Sequence, residues 1–378
     1  MKTGKVHIWV PELIAREGGI QSYSIEMVEA AVEILGPGRV TVLSKSDVPR
    51  VLRDRFGGKV KTYATGNVPA VLRTPAFALL LVAVALLEGP SLILSTHANF
   101  SPVAAWLQKW RGIPAAVSAH GIEVWDLAPG RIREALQQVR KILPVSEHTR
   151  RRMEKEIGLP ADKFTVISDT YETDKFRMGP VPLDLRKRLG LEGEKVIYTM
   201  ARLDPGERYK GIDEVISVLP ELVREIPDLI YLIGGKGADR TRLEEKARTL
   251  GVADRVIFAG FIPESEKADY YRLADLFVMP GWGEGFGIVY LESAACGVPA
   301  LGSTLDASVE VIRTAEIGEA VNPKNPEELK AAMVRMLKNS SKGPFAKLTE
   351  FDREAFRSKV KSLLESFGLR REEIADSR

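Results

Sequence analysis

The chain has 378 residues, 45% of them hydrophobic and 28% charged, with a net charge of +3 at pH 7. That is enough apolar material for two buried cores of ordinary size. With one cysteine, Cys296, an intrachain disulfide is excluded, and four histidines at 7, 97, 120 and 148 offer no metal-ligand spacing. Strand-like apolar runs alternate with helical patterns from end to end, which predicts α/β architecture with parallel sheets flanked by helices. Met1 to Lys5 runs straight into the strand Lys5–Val10 without a signal peptide's apolar core, so a cytoplasmic location is expected. Gly18-Gly19 follows that strand and precedes a helical pattern; taken alone, the pair is a turn. A G-x-G-x-x-G fingerprint is absent from this first βα turn, which disfavours a nicotinamide-dependent oxidoreductase.

Thr74 to Leu87 is fourteen residues without a charge, too short to span a bilayer. It is expected to be a buried helix ahead of the strand Leu92–Leu94, the other reading being docking into a membrane interface together with Trp106, Lys109 and Trp110. His120-Gly121-Ile122-Glu123 follows the apolar strand Ala115–Ser118. Residues 1–180 hold 24 Lys/Arg against 18 Asp/Glu, a net of +6, so the remainder is at −3. Arg131, Arg133, Arg140, Lys141 and Arg150 to Arg152 concentrate that charge, either to attract an anionic lipid-linked acceptor or membrane surface, or as a solvated helix face. No nucleic-acid-binding motif accompanies them.

A linker, Arg177 to Pro182, follows Phe176. Beyond it Arg202 ends the strand Val196–Met200 and Lys210-Gly211 opens a helix, while Ile230–Ile233 runs into the glycine turn Gly234 to Gly237, and Val256–Gly260 leads to Ile262. Leu276–Pro280 then enters Gly281 to Gly287, a turn free of Cβ crowding that opens the apolar helix Ile288 to Cys296. The unpaired N–H groups and dipole at such a helix start favour an anion, so a diphosphate fits there. Glu284 in the turn and Glu292 in the helix lie about 80° apart around the axis, placing two acceptor-only groups where sugar hydroxyls can reach them.

The phrase from Glu284 through Gly285, Phe286, Gly287, Ile288 and Val289 to Glu292, with its Ser-Ala-Ala-Cys-Gly-Val-Pro-Ala continuation, closely resembles the E-x7-E element of retaining nucleotide-sugar glycosyltransferases of the family-4 type. The resemblance implies the GT-B fold: two Rossmann-like parallel-sheet domains facing an interdomain cleft, here expected at 1–177 (acceptor side) and 178–350 (donor side). C-terminal helices over 351–378 are expected to cross back to the first domain and to fray from Arg370 to Arg378. It also implies roles. Glu284 would meet the donor sugar, Glu292 the ribose, Arg202 and Lys210 the departing diphosphate, and His120 the sugar from the other domain. Gly18, Gly19, Gly234, Ile262, Gly285, Phe286, Gly287, Ile288 and Val289 would line the donor. No cofactor or metal is implied. The expected reaction moves a hexose from a UDP- or GDP-linked sugar to a glycan or lipid-linked saccharide at the cytoplasmic face of a membrane. The sequence departs from the family pattern at Ser168-Asp169-Thr170-Tyr171-Glu172, where Pro-Asn-Gly-hydrophobe-Asp is usual, so contacts from this loop do not carry over. That departure keeps a catalytically inactive binding module open, and a sugar-nucleotide epimerase of the same fold is the other alternative.

Overall fold

The structure, a computed structural model, describes residues 4–15, 18–339 and 342–370; the tail expected to fray lies, from residue 371 onward, outside the described residues. The chain divides into two compact units, one running to Thr170 and resuming at Arg353, the other spanning Tyr171–Asp352.

In the first unit the order is β1 (Val6–Val10), α1 (Gly19–Leu35), β2 (Val40–Ser44), α2 (Pro49–Phe56), β3 (Lys61–Ala64), α3 (Ala70–Glu88), β4 (Leu92–Ser95), α4 (Ser101–Arg111), β5 (Ala115–Ala119), α5 (Arg131–Gln138), β6 (Lys141–Pro144) and α6 (Glu147–Ile157). The second contains α7 (Leu183–Arg188), β7 (Lys195–Met200), α8 (Ile212–Glu225), β8 (Leu229–Gly234), α9 (Arg240–Thr249), β9 (Val256–Gly260), α10 (Lys267–Leu273), β10 (Leu276–Val278), α11 (Ile288–Ala295), β11 (Ala300–Ser303), α12 (Ser308–Ala315), β12 (Gly318–Val321) and α13 (Pro326–Asn339); α14 (Arg353–Ser366) belongs again to the first unit.

Each unit holds a six-stranded parallel sheet, ordered β3-β2-β1-β4-β5-β6 and β12-β11-β10-β7-β8-β9. Strands such as Val6–Val10 and Leu229–Gly234 are buried along their whole length, as strands covered on both faces must be, which is why they read as continuous apolar runs rather than alternating ones. In both sheets the strand order reverses once, between β1 and β4 and between β7 and β10, and ligands of open α/β sheets collect at the carboxyl ends of strands flanking such a reversal.

On one face of the first sheet Trp9, Ile93 and Val117 pack with Phe77 and Leu81 of α3, Ala104 and Leu107 of α4, and Leu136 of α5. On its other face α14 meets α1 through Phe356, whose ring stands edge-on to Tyr23 at 5.7 Å, and through Arg353, which pairs with Glu26 at 2.8 Å. In the second unit α8 and α13 close one face of the sheet, with Val215, Leu219, Met333 and Met336 against Ile197, Tyr231 and Leu276.

One expectation is corrected, and one of two open readings is favoured. The charge-free tract is not a buried helix: within α3 only Phe77, Leu81, Val84 and Ala85 are buried, while Val71, Leu72, Leu79, Leu86 and Leu87 are exposed. One side of a helix on a sheet can touch the sheet, and the leucines of α3 go all the way round. The basic run is also less available than its charge suggests. Arg150 pairs with Glu147 and Glu154 at 2.6 Å, Arg152 with Glu156 at 2.6 Å and Asp126 at 2.5 Å, and Arg133 donates to the carbonyls of Leu127 and Glu156.

Glu88, at the end of α3, ties three strands together. Its carboxylate accepts from Thr41 Oγ1 at 2.8 Å, lies 3.1 Å from His7 Nε2, and meets Lys61 and Tyr63 at 3.3 Å. Glu88→Ala leaves the buried His7 and Thr41 without that acceptor, and urea denaturation is expected to show a loss of about 2–3 kcal/mol, whereas the neighbouring exposed Leu87→Ala shifts stability by less than about 0.5 kcal/mol.

Candidate functional site

The site in the second unit is assembled by a close approach of two backbones. The turn after β10 runs through Pro280 and Gly281, and the segment before α8 runs through Tyr209, Lys210 and Gly211. Trp282 N–H donates to Tyr209 O at 2.9 Å, and a Cβ on Gly211 would fall 2.3 Å from Pro280 O while one on Gly281 would fall 2.5 Å from Tyr209 O. Gly211 also has φ +81°, so this position requires glycine twice over. The approach sets Lys210 Nζ 2.5 Å from Glu284 Oε2. Burial opposes the charge on the lysine, but Glu284, Tyr209 and Glu207 together outweigh it and hold the Lys210 pKa above the ordinary lysine value.

Arg202, past the end of β7, lies on the neighbouring loop with its side chain 79% exposed and paired with Glu207. Gly285 and Phe286 lead to Gly287, which caps α11 from the left-handed region (φ +94°), so Ile288 and Val289 form the first turn with no side-chain cap on their N–H groups. Glu292, one turn on, is half-buried and accepts from Tyr271 Oη at 2.6 Å; desolvation raises its pKa, opposed by nearby Lys267 and the Tyr271 bond. At the end of β8, Gly234 packs so tightly on Ile262 that a Cβ would lie 2.4 Å from Ile262 Cδ1. The Cys296 thiol is buried, which pushes it up to about 12 and marks it as a packed group.

One residue of this site escaped the sequence reading. Asp306 is fully buried; its Oδ2 accepts the Glu284 N–H at 3.0 Å and its Oδ1 the Ser308 N–H at 3.0 Å and hydroxyl at 2.6 Å. Ala307 N–H in turn donates to Glu284 O at 3.0 Å. The Glu284 turn is therefore clamped from both sides. Burial, with Glu284 nearby, pushes Asp306 up to about 6. The available signal was local: Asp-Ala-Ser ahead of a helical pattern is capping chemistry.

In the first unit His120 follows β5. Its Nε2 lies 2.8 Å from Thr96 O, its backbone N–H donates to Glu123 at 2.5 Å, and its ring stands edge-on to Tyr23 at 4.9 Å. Burial lowers its pKa to about 4, so the ring is neutral near pH 7; a carbonyl only accepts, hence Nε2 carries the proton and Nδ1 is the acceptor. Gly18 and Gly19 open α1. The loop before them is held by Asp47, which receives the N–H groups of Leu13, Ile14 and Ala15 at 2.6, 2.9 and 2.8 Å. Asp47 was not singled out from sequence, because the N–H groups it receives lie more than thirty positions away along the chain; Glu123 and the half-buried His97 were not singled out either. In the departing loop, Ser168, Asp169 and Thr170 are buried in the first unit and Tyr171 begins the second. Among the described residues no cluster of His, Cys, Asp and Glu is arranged to hold a metal ion.

Two doubly wound parallel sheets, with a Lys–Glu pair and a helix start at the reversal of the second, define the GT-B class of nucleotide-dependent transferase folds. Residues 17–175 match the model of glycosyltransferase family 4, and residues 183–357 match that of glycosyl transferases group 1. The chain belongs to this glycosyltransferase family. It is 34% identical over 233 residues to a GDP-mannose-dependent alpha-(1-6)-phosphatidylinositol monomannoside mannosyltransferase of Mycolicibacterium smegmatis, covering 58% of this chain and 60% of that protein. It is 32% identical over 190 residues to a D-inositol 3-phosphate glycosyltransferase of Acidothermus cellulolyticus, covering 48% and 42%. The chain thus spans about half the length of the curated relatives it matches. The crystal structure of Anabaena HepE in complex with UDP has the same fold, with a TM-score of 0.76 at 18% identity over 96% of this chain and 100% of that one.

The neutral state of His120 has a pH signature. Its folded pKa is depressed from 6.5 to about 4, so its contribution to stability is complete above pH 6.5 and is lost as pH falls toward 4. Between pH 7 and pH 5 the loss is about 2 kcal/mol. Urea midpoints at the two pH values are expected to differ more for the wild type than for His120→Gln; equal differences would assign the acid sensitivity elsewhere.

Proposed function

We propose that this chain transfers a hexose from a UDP- or GDP-linked sugar to a hydroxyl of a glycan or lipid-linked saccharide, with retention at the anomeric carbon and without a metal ion. The observation that carries the reading is the Lys210–Glu284 pair, set 2.5 Å apart beside the start of α11. Charge builds on the diphosphate as the glycosidic bond loosens, and a half-buried ammonium together with helix N–H groups is a preorganised counter-charge for it. Glu284 then holds donor-sugar hydroxyls, Arg202 and Lys210 the diphosphate, Glu292 the ribose, and His120 accepts from the sugar through Nδ1. Gly18, Gly19, Gly234, Ile262 and Gly285 to Val289 line the donor, and no cofactor takes part. The acceptor attacks from the face the diphosphate leaves, and the leaving phosphate takes its proton. The names of the curated relatives support a mannosyl donor and an inositol-containing acceptor, and a cytoplasmic setting at a membrane face is part of the same proposal.

An epimerase is not favoured, since the relatives named for an activity are transferases. The test is to incubate the protein with UDP-, GDP- and ADP-sugars, with and without membrane extract, and to measure free nucleoside diphosphate and product stereochemistry. Release from one donor, stimulated by extract and retaining configuration, supports the proposal; isomerisation without release, or binding without turnover, replaces it.

Variants separate the roles. Lys210→Ala is expected to lower kcat by roughly 100-fold and Glu284→Ala by a similar factor, with the double variant far from additive because the two groups are in contact. Glu292→Ala, with Glu292→Gln as the conservative control, is expected to weaken nucleotide binding roughly tenfold in calorimetry while kcat falls less. Equal, negligible effects at Glu284 and Glu292 would remove the assignment.

A further inference from the structure

The transfer chemistry makes no use of the outer face of α3. Leu72, Leu79 and Leu86 recur at a spacing of seven and share one side of the helix, with Leu87 next to them. They are 57%, 73%, 39% and 85% exposed, respectively. From Leu72 to Leu86 the stripe is about 21 Å long at 1.5 Å per residue. On the same sheet face α4 adds Trp106 and Trp110, 47% and 56% exposed, with their rings stacked at 4.9 Å.

We propose that this face of α3, with the indole pair of α4, is a docking surface for an anionic lipid bilayer. Its chemistry favours lipid over protein. The stripe is hydrocarbon only, whereas the centre of a protein interface is enriched in aromatic residues, Met and Arg. An aliphatic face edged by tryptophans and cations is the composition that lies in a membrane interface. Charge selects the lipid. Between residues 66 and 113 the charged side chains are Arg73, Lys109 and Arg111 against Glu88 alone, and Glu88 is turned inward to His7 and Thr41. The rim of the patch is therefore cationic and complements anionic headgroups. By length and composition α3 is also able to cross a membrane. Phe77, Leu81, Val84 and Ala85, however, belong to the core of the first unit, so the helix lies on the bilayer with its leucines down and its other side in the protein.

The full chain is to be floated with vesicles of phosphatidylcholine alone and of phosphatidylcholine with phosphatidylglycerol. It is expected to float with the anionic vesicles, and brominated acyl chains are expected to quench fluorescence that disappears in Trp106→Phe/Trp110→Phe. Leu79→Glu/Leu87→Glu is expected to lower partitioning roughly tenfold or more, and Lys109→Glu/Arg111→Glu to abolish the preference for phosphatidylglycerol. All these side chains are exposed, so thermal melting and nucleotide binding should stay at wild-type values; this keeps the result separate from any failure of the transferase reading. A wild type that stays with the soluble fraction, or variants that float as it does, overturns the proposal. A concentration-dependent dimer lost in Leu79→Glu/Leu87→Glu also overturns it and assigns the face to a second copy of the chain.

Discussion

The second unit depends on the contact between the Tyr209–Gly211 backbone and the Pro280–Trp282 backbone. A backbone hydrogen bond, Trp282 N–H to Tyr209 O, joins two loops that leave neighbouring strands at the sheet's reversal, and the glycines at 211 and 281 let them approach to a distance no side chain would permit. Lys210 is carried on one loop and Glu284 on the other, so their 2.5 Å pairing is set by backbone rather than by rotamer choice. Asp306 fixes the remaining freedom by receiving the Glu284 N–H from beneath. A buried ammonium needs a partner to keep its charge; Glu284 supplies it, and the site is preorganised without leaving an uncompensated ion.

The two candidate sites use polar groups in opposite ways. In the second, ionised groups face one another: Lys210 with Glu284, Lys175 and Lys267 with Glu264. In the first, burial keeps the corresponding group uncharged, since His120 is lowered to about 4 and anchored by one backbone carbonyl. A neutral imidazole with its proton committed to Thr96 O offers a hydrogen-bond acceptor without adding charge. Under the proposed reaction that division is useful: positive charge is wanted at the diphosphate, and directional acceptance at the sugar.

Much of this was legible in the sequence because it is carried by local patterns. Alternating apolar runs gave two parallel α/β sheets, and the phrase from Glu284 to Glu292 has its turn, its αL glycine and its helix within a dozen residues. Lys210-Gly211 was readable because a glycine at a helix start is a local signal, although its cause, Pro280, lies 69 positions on. What could not be read are the long-range partners. Asp306 and Asp47 look like ordinary loop acids until the fold brings a backbone N–H to each. The fate of Arg150 and Arg152 depended on carboxylates at 126, 147, 154 and 156, so a charge count overstated what that helix presents.

Exposure of α3 was illegible for a different reason. A helix with leucine on every side has no polar face to tell which side meets the sheet, and its composition is the same whether it is buried, spans a bilayer or lies on one. Only the neighbours decide. The sheet takes Phe77, Leu81, Val84 and Ala85, and nothing in the described part of the first unit covers Leu72, Leu79 and Leu87. A soluble helix in that position gains nothing from leucine on its outer side, where Lys, Glu or Gln would serve helix propensity equally well and solubility better. Retaining hydrocarbon there makes physical sense when the surface meets an apolar phase, and the absence of any outward-facing acid between Arg73 and Arg111 is what an anionic phase would require.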